Sequence, residues 1–213
     1  MNSLFQRAWR DLPLLGVVVA PPVLLLAAVQ LQPWASPEIL LRDTVTSAAL
    51  DENCCTYYTG AVSNLGVVLW GMAASVALFG AALMDRGVAA GRRRRLFLCA
   101  TAAISLIFML DDLFLLHEDV LPYRGVPEIV TYGAYALMML GYGAVFARDI
   151  LATRFLLAAA TALFFMISTG WDVVLEDLDL IVVEDGAKFV GICCWAGFAA
   201  LAAYDAVLSR KNL

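Results

Sequence analysis

Residues 59–84 read TGAVSNLGVVLWGMAASVALFGAALM, a stretch that contains no charged side chain. Runs of about 18 or more apolar residues are typical of helices that cross a membrane. At about 1.5 Å per residue, a helix of this length spans a hydrocarbon core of about 30 Å. Comparable apolar stretches occur before and after it in the chain. The sequence therefore predicts six membrane-spanning helices, at 12–32, 59–84, 96–117, 129–147, 155–176 and 183–206.

The composition supports a membrane protein rather than a soluble one. Of the 213 residues, 62% are hydrophobic and 15% are charged, whereas a soluble domain averages roughly 45–50% and about 25%. A large soluble core is excluded because six apolar stretches leave too little polar sequence to cover it. We expect an all-α, polytopic integral membrane protein in which a single domain, 1–213, forms one six-helix bundle. The lipid bilayer is its surroundings, and nucleic acid is not an expected partner.

Lysine and arginine are divided unequally between the two sides of the predicted bundle. One side carries eleven of them and the other side carries three, Arg42, Arg124 and Lys188. Cytoplasmic loops carry the excess of these residues. The eleven-residue side is therefore predicted to be cytoplasmic, together with both termini. This orientation is that of a multi-pass protein of the cell membrane, for which we favour a bacterial inner membrane.

The acidic residues show the opposite distribution. Fifteen of the nineteen fall on the non-cytoplasmic side or in the outer half of a span. Ionised side chains at membrane depth are costly, so they usually face a protein interior and mark a functional site. We therefore predict that acids from three spans converge in a pocket that opens to the periplasm or exterior. The acids in or beside these spans include Asp111, Asp112, Glu118, Asp172, Glu176, Asp177, Asp179, Glu184 and Asp185.

Helical spacing indicates which side chains of the third span share a face. Asp111 and Glu118 are seven residues apart and lie nearly on one face. Asp112 lies about 100° around the helix from Asp111. A regular helix would point His117 away from Asp111, although the predicted span ends at this residue.

The acids predict a divalent metal ion as the cofactor. Like charges that share a partly dry site cannot all persist, so either some of the carboxyl groups hold protons or a cation neutralises them. Oxygen-rich ligand sets suit hard or borderline ions. The chain has one histidine, which disfavours a conventional di-iron or tri-histidine zinc centre. The predicted metal ligands are Asp111, Asp112, Asp172, Glu176, Glu184 and Asp185.

Three residues are predicted to take part directly in catalysis. His117 would be a ligand or proton shuttle, and Glu118 is predicted to be catalytic with it. Lys188 would hold an anionic intermediate or substrate head group. An internal salt bridge between Lys188 and Glu184, one turn apart on the last span, is the favoured alternative.

These features favour a membrane-embedded, metal-assisted enzyme that acts on a lipid-like or membrane-soluble substrate, with hydrolysis ahead of redox chemistry. The alternative is a non-catalytic subunit of a larger membrane complex, with a membrane protein or a second copy as partner. A cation transporter ranks third, because the inner halves of the spans carry few polar groups and a conduit needs a polar path.

The longest connection, 33–58, contains a helix signal and two neighbouring cysteines. Ser36-Pro37-Glu38 predicts the start of a short helix, with serine as N-cap and proline in the first turn. This part of the connection is either a helical lid over the acidic, outer end of the bundle or a packed loop. Cys54 and Cys55 are expected to pair poorly with each other, because disulfide geometry is demanding. The absence of a CxxC spacing disfavours a structural zinc site.

Overall fold

The computed structural model is helical, with 87% of the chain in helices and no strand among the residues it describes. Backbone structure is described for residues 2–50, 54–85, 87, 89–174 and 181–210. Within these ranges, the side chains at 2–4, 172–174 and 210 are not described. The all-α prediction is thus confirmed.

The described helices vary in length from one turn to thirty residues. They are α1 (Asn2–Leu31), α2 (Pro37–Leu41), α3 (Thr44–Leu50), α4 (Ala61–Ala82), α5 (Ala89–Phe114), a π-helix (Leu116–Val120), α6 (Leu121–Tyr123), α7 (Glu128–Ala152), α8 (Phe155–Val174) and α9 (Ile181–Arg210).

Five of these helices are long and apolar enough to cross a membrane. Helices α7 and α9 contain the predicted spans 129–147 and 183–206, and α4 lies within the predicted span 59–84. Helices α1 and α5 overlap the predicted spans 12–32 and 96–117 but end one and three residues before them. The described apolar part of α8, Phe155–Trp171, is shorter. These lengths support a multi-pass helical membrane protein. Six spans and cytoplasmic termini stay predictions.

The chain forms two compact units, each assembled from separate segments. Unit 1 comprises Met1–Leu69 and Leu156–Gly197, and unit 2 comprises Trp70–Phe155 and Phe198–Leu213. The long helices α4 and α9 contribute residues to both units. The prediction of a single domain over 1–213 stays a prediction.

Helix α9 makes close contacts with three other helices inside unit 1. Gly191 packs against the side chains of Phe164 and Phe165 of α8, and its carbonyl accepts a hydrogen bond of 3.4 Å from Thr161 Oγ1. Further glycine contacts join α9 to α1 and α4, namely Gly186 with Leu26, Gly197 with Val18 and Gly66 with Ile192. Small residues let helices approach closely in membranes, where packing rather than the hydrophobic effect joins them.

The connection after α1 confirms the predicted short helix, which begins at Pro37. Ser36 has the extended backbone of an N-cap, although its side chain makes no capping hydrogen bond. Leu40 and Leu41 are buried in an apolar cluster that also contains Val29 and Val62. The segment therefore packs into unit 1 through its leucines.

The cysteines of this connection differ from the expectation. Cys54 and Cys55 form a disulfide with each other, whereas their adjacency predicted poor pairing. Cys99, Cys193 and Cys194 are free thiols.

Unit 2 is held together by aromatic packing and by tight contact between small residues. Phe97 of α5 stacks on Tyr142 of α7, and the Tyr142 hydroxyl lies 2.7 Å from Thr101 Oγ1. Gly80 of α4 lies so close to Ala203 of α9 that a Cβ at position 80 would come within 2.9 Å of the alanine Cβ. These contacts join α5 to α7 and α4 to α9.

Candidate functional site

The helix that carries Asp111 ends in an unusual way. Leu115 follows α5 in the left-handed region, with φ 49° and ψ 46°. Non-glycine residues rarely adopt this conformation, which costs of order 1–3 kcal/mol. The π-helix Leu116–Val120 begins directly afterwards. The chain thus changes direction between Asp111 and His117, instead of continuing as a regular helix.

This break brings His117 back onto Asp111. The His117 ring Nδ1 lies 2.5 Å from Oδ2 of Asp111, and the His117 backbone N–H donates to Oδ1 at 3.1 Å. A regular helix would have pointed His117 away from Asp111, but the helix does not continue through Leu115. Both side chains are buried, with exposed fractions of 2% for Asp111 and 5% for His117.

A tyrosine from the next long helix completes the environment of Asp111. The Tyr135 hydroxyl of α7 donates to Oδ1 of Asp111 at 2.6 Å. This length is typical of a hydroxyl that donates to an ionised carboxylate. Two donors and the His117 ring nitrogen therefore converge on one buried carboxyl group, as expected because buried polar groups are normally hydrogen-bonded.

The second ring nitrogen of His117, Nε2, faces an exposed acidic side chain. Nε2 lies 3.3 Å from Oε1 of Glu118, whose side chain is 37% exposed. The ring of Tyr132 lies beside the imidazole, with 5.3 Å between centroids, and the Tyr132 hydroxyl donates to Glu128 at 2.9 Å. The cluster therefore leads from a buried carboxylate, through one imidazole, to acids at the surface of unit 2.

Asp112 has different partners from Asp111. Its Oδ2 accepts a hydrogen bond of 2.8 Å from the indole Nε1 of Trp70 in α4. Trp70 also stacks on Phe108, which contacts the edge of Tyr135. Adjacent positions on a helix point about 100° apart, and here they reach separate donors.

The remaining predicted site residues fall in unit 1 or outside the described residues. Glu184, Asp185 and Lys188 are half-buried in the first two turns of α9, with Glu184 and Lys188 one turn apart as predicted. The side chain of Asp172 and all of Glu176 lie outside the described part of the chain. Convergence of these residues with Asp111 stays a prediction.

The metal prediction gains no support from the described residues. Among them, no group of three His, Cys, Asp or Glu side chains is arranged to hold a metal ion. Asp111 is engaged with His117 and Tyr135, and Asp112 with Trp70.

Sequence reasoning missed Tyr135, Trp70 and Leu115 as parts of this cluster. Trp70 carried one usable signal, since a buried indole N–H in an apolar span needs an acceptor. Tyr135 lies near the start of the fourth predicted span, but its partner depends on how α7 packs against α5. The left-handed conformation of Leu115 has no local signal, because leucine is not a residue that favours it.

Fold and cluster together describe a helical protein with helices long and apolar enough to cross a membrane, and with a buried acid–imidazole pair near the end of one of them. Residues 14–202 match the family described as Domain of unknown function (DUF8692). The chain belongs to this family. No curated protein and no solved structure matches it.

Proposed function

We propose that the protein is a membrane-embedded enzyme in which His117, oriented by Asp111, transfers protons during the hydrolysis of a lipid-like or membrane-soluble substrate. The observation that carries the proposal is the buried contact of 2.5 Å between His117 Nδ1 and Asp111. A carboxylate only accepts hydrogen bonds, so Nδ1 carries the hydrogen. Nε2 is then the position that gains or loses a proton.

The position of Nε2 supports a role in acid–base chemistry. It faces Glu118, which reaches the surface of unit 2. A contact of 3.3 Å is long for a hydrogen bond, but catalytic contacts are often loose before substrate binds. Glu118 can exchange protons between the imidazole and water.

The surroundings of the pair support a substrate that arrives from the bilayer. The last turns of α5, just before Leu115, carry large apolar side chains that are exposed on unit 2. These are Leu110, Leu113 and Phe114. In a membrane, exposed apolar side chains face lipid, so a lipid-like molecule can approach this end of α5 laterally.

A divalent metal ion stays an untested element of the proposal. Elemental analysis of the purified protein, repeated on Asp112→Asn and Glu176→Gln, tests it. A stoichiometric metal that is lost in both variants supports the predicted ligand set. Metal content that is unchanged in both variants removes these two residues from it.

Product formation from a panel of lipids tests the enzyme proposal. The purified protein, in lipid nanodiscs, is incubated with ester, amide and phosphodiester lipids, and products are identified by mass spectrometry. His117→Gln and Asp111→Asn should each slow product formation by roughly 10²–10⁴-fold, the usual contribution of a general acid or base. Asp119→Asn is the matched control. Like Asp111→Asn it removes one carboxylate, but from an exposed position in the π-helix that contains His117. Equal rates in wild type and His117→Gln contradict the proposal.

A second candidate, a subunit of a larger membrane complex, is favoured by the surface of α7. Gly133, Gly141 and Gly143 have open space where a Cβ would lie. Glycines on an open helix face allow a neighbouring helix to approach closely. Crosslinking in native membranes from a cysteine placed at position 141 tests this candidate. Adducts that match only the mass of the single chain argue against it.

A further inference from the structure

One buried hydroxyl in unit 2 lacks a hydrogen-bond partner. Thr131 of α7 is 5% exposed, and its Oγ1 is the only buried side-chain hydroxyl among the described residues without a partner. Buried polar groups in folded proteins are nearly always hydrogen-bonded, and an exception often marks a water or ion. The missing hydrogen-bond partner of the Thr131 hydroxyl therefore has to be explained.

Other buried hydroxyls in these helices are satisfied by their own backbone. Thr101, Ser105 and Thr161 each donate to the carbonyl four residues earlier, at 2.8–2.9 Å. This is the common solution for serine and threonine inside a membrane helix. The corresponding carbonyl for Thr131 is that of Pro127, which instead accepts the backbone N–H of Val130. The Thr131 hydroxyl thus lacks the bond to its own helix that the other three hydroxyls make.

Thr131 lies on the face of α7 that meets the Asp111–His117 pair. At 100° per residue, Glu128, Thr131, Tyr132 and Tyr135 fall within an arc of about 100°. Tyr135 donates to Asp111, and the ring of Tyr132 lies against His117. The unpaired hydroxyl therefore lies on the same flank, one turn from Tyr135.

We propose that Thr131 Oγ1 binds a buried water molecule beside the Asp111–His117 pair. A water both donates and accepts, and buried waters make roughly three hydrogen bonds to groups of this kind. Thr131 and Tyr135 offer neutral hydroxyls, which suit water better than they suit a charged ion. A phenol oxygen that donates to Asp111 can also accept a hydrogen bond from water.

The catalytic role of this water rests on the proposed hydrolase function. In hydrolysis, the water oxygen bonds to the electrophilic carbon or phosphorus of the substrate while one water proton passes to Nε2 of His117. The bond to the leaving group then breaks, and His117 returns the proton to the leaving oxygen or nitrogen. Atoms and charge balance without any further reactant.

High-resolution structures of wild type, Thr131→Ser and Thr131→Val test the water site. We expect an ordered water within hydrogen-bond distance of the hydroxyl in wild type and Thr131→Ser, and its loss in Thr131→Val. The midpoint of thermal unfolding should be no higher in Thr131→Val than in wild type. Thr161→Val is the matched control, since the Thr161 hydroxyl donates to Leu157 and its removal should leave the water in place.

Two results would overturn the inference. One is density in which Thr131 Oγ1 donates to the Pro127 carbonyl or to a lipid hydroxyl. The other is a higher unfolding midpoint for Thr131→Val than for wild type, because a methyl group in place of an unsatisfied hydroxyl stabilises a protein.

The water site and the enzyme proposal can fail separately. The water is observed without substrate, so its absence overturns this inference even where product formation depends on His117. A water that is present, with product formation unaffected by His117→Gln, leaves the site standing and refutes the enzyme proposal.

Discussion

Replacing Tyr135 by phenylalanine removes one donor from the buried network around Asp111. We expect the free energy of unfolding to fall by about 1.5–3 kcal/mol, the usual worth of a hydrogen bond to a charged group. The hydroxyl lies 2.6 Å from Oδ1 of Asp111, which is a short, charge-assisted geometry. Because Asp111 is 2% exposed, bulk solvent cannot replace the lost donor.

The measurement is a double-mutant cycle with Asp111→Asn, by equilibrium unfolding of the purified protein in mixed micelles. Asparagine removes the charge that strengthens the hydrogen bond. In the Asp111→Asn variant, Tyr135→Phe should therefore lower the free energy of unfolding by less than about 1 kcal/mol. Residues in direct contact show coupling energies of roughly 0.5–3 kcal/mol. Tyr132→Phe is the control, because Tyr132 donates to Glu128 and its cost should not depend on residue 111.

The reasoning is refuted if Tyr135→Phe costs the same with aspartate or asparagine at position 111. It is also refuted if the cost in wild type is below about 0.5 kcal/mol, since a buried charge-assisted bond should exceed that value. In either case the Tyr135–Asp111 hydrogen bond does not stabilise the folded protein, and Tyr135 contributes only through the packing of its ring.

Two further predictions concern packing and surface charge in unit 2. Gly80→Ala should destabilise the protein by about 1–3 kcal/mol, because the new Cβ would lie 2.9 Å from that of Ala203 and overpacking carries such a cost. Gly141 has open space around it, so Gly141→Ala should instead be neutral or should stabilise the protein by up to about 1 kcal/mol. Equilibrium unfolding of both variants in micelles measures the difference between them. Arg93→Gln breaks a half-exposed ion pair of 2.8 Å with Asp149, so it should cost less than about 1 kcal/mol, and less at high salt. A large cost that does not change with salt would contradict this view of the pair.

Much of the helical framework could be predicted from the order of the residues. Apolar stretches of membrane length must satisfy their backbone groups internally, and helices do so within one segment. The predicted span 59–84 accordingly differs by two residues at each end from α4, Ala61–Ala82. The single histidine and the acid pair at 111–112 also stood out as a candidate site, because charged groups are rare in such stretches.

The pairing within the site could not be predicted in the same way. Helical periodicity places His117 away from Asp111, and only the left-handed turn at Leu115 brings the two together. That turn is unfavourable for leucine in isolation, so surrounding contacts must hold it.

The sequence also could not show which donor from another helix each aspartate receives. Asp111 and Asp112 are identical neighbours in the chain, yet one receives Tyr135 and the other Trp70. Their difference arises from which helix packs on each side of α5. Local sequence decides where a helix forms, because its hydrogen bonds close within four residues. Three-dimensional packing decides which donor meets a buried carboxylate, because that contact joins residues far apart in the chain.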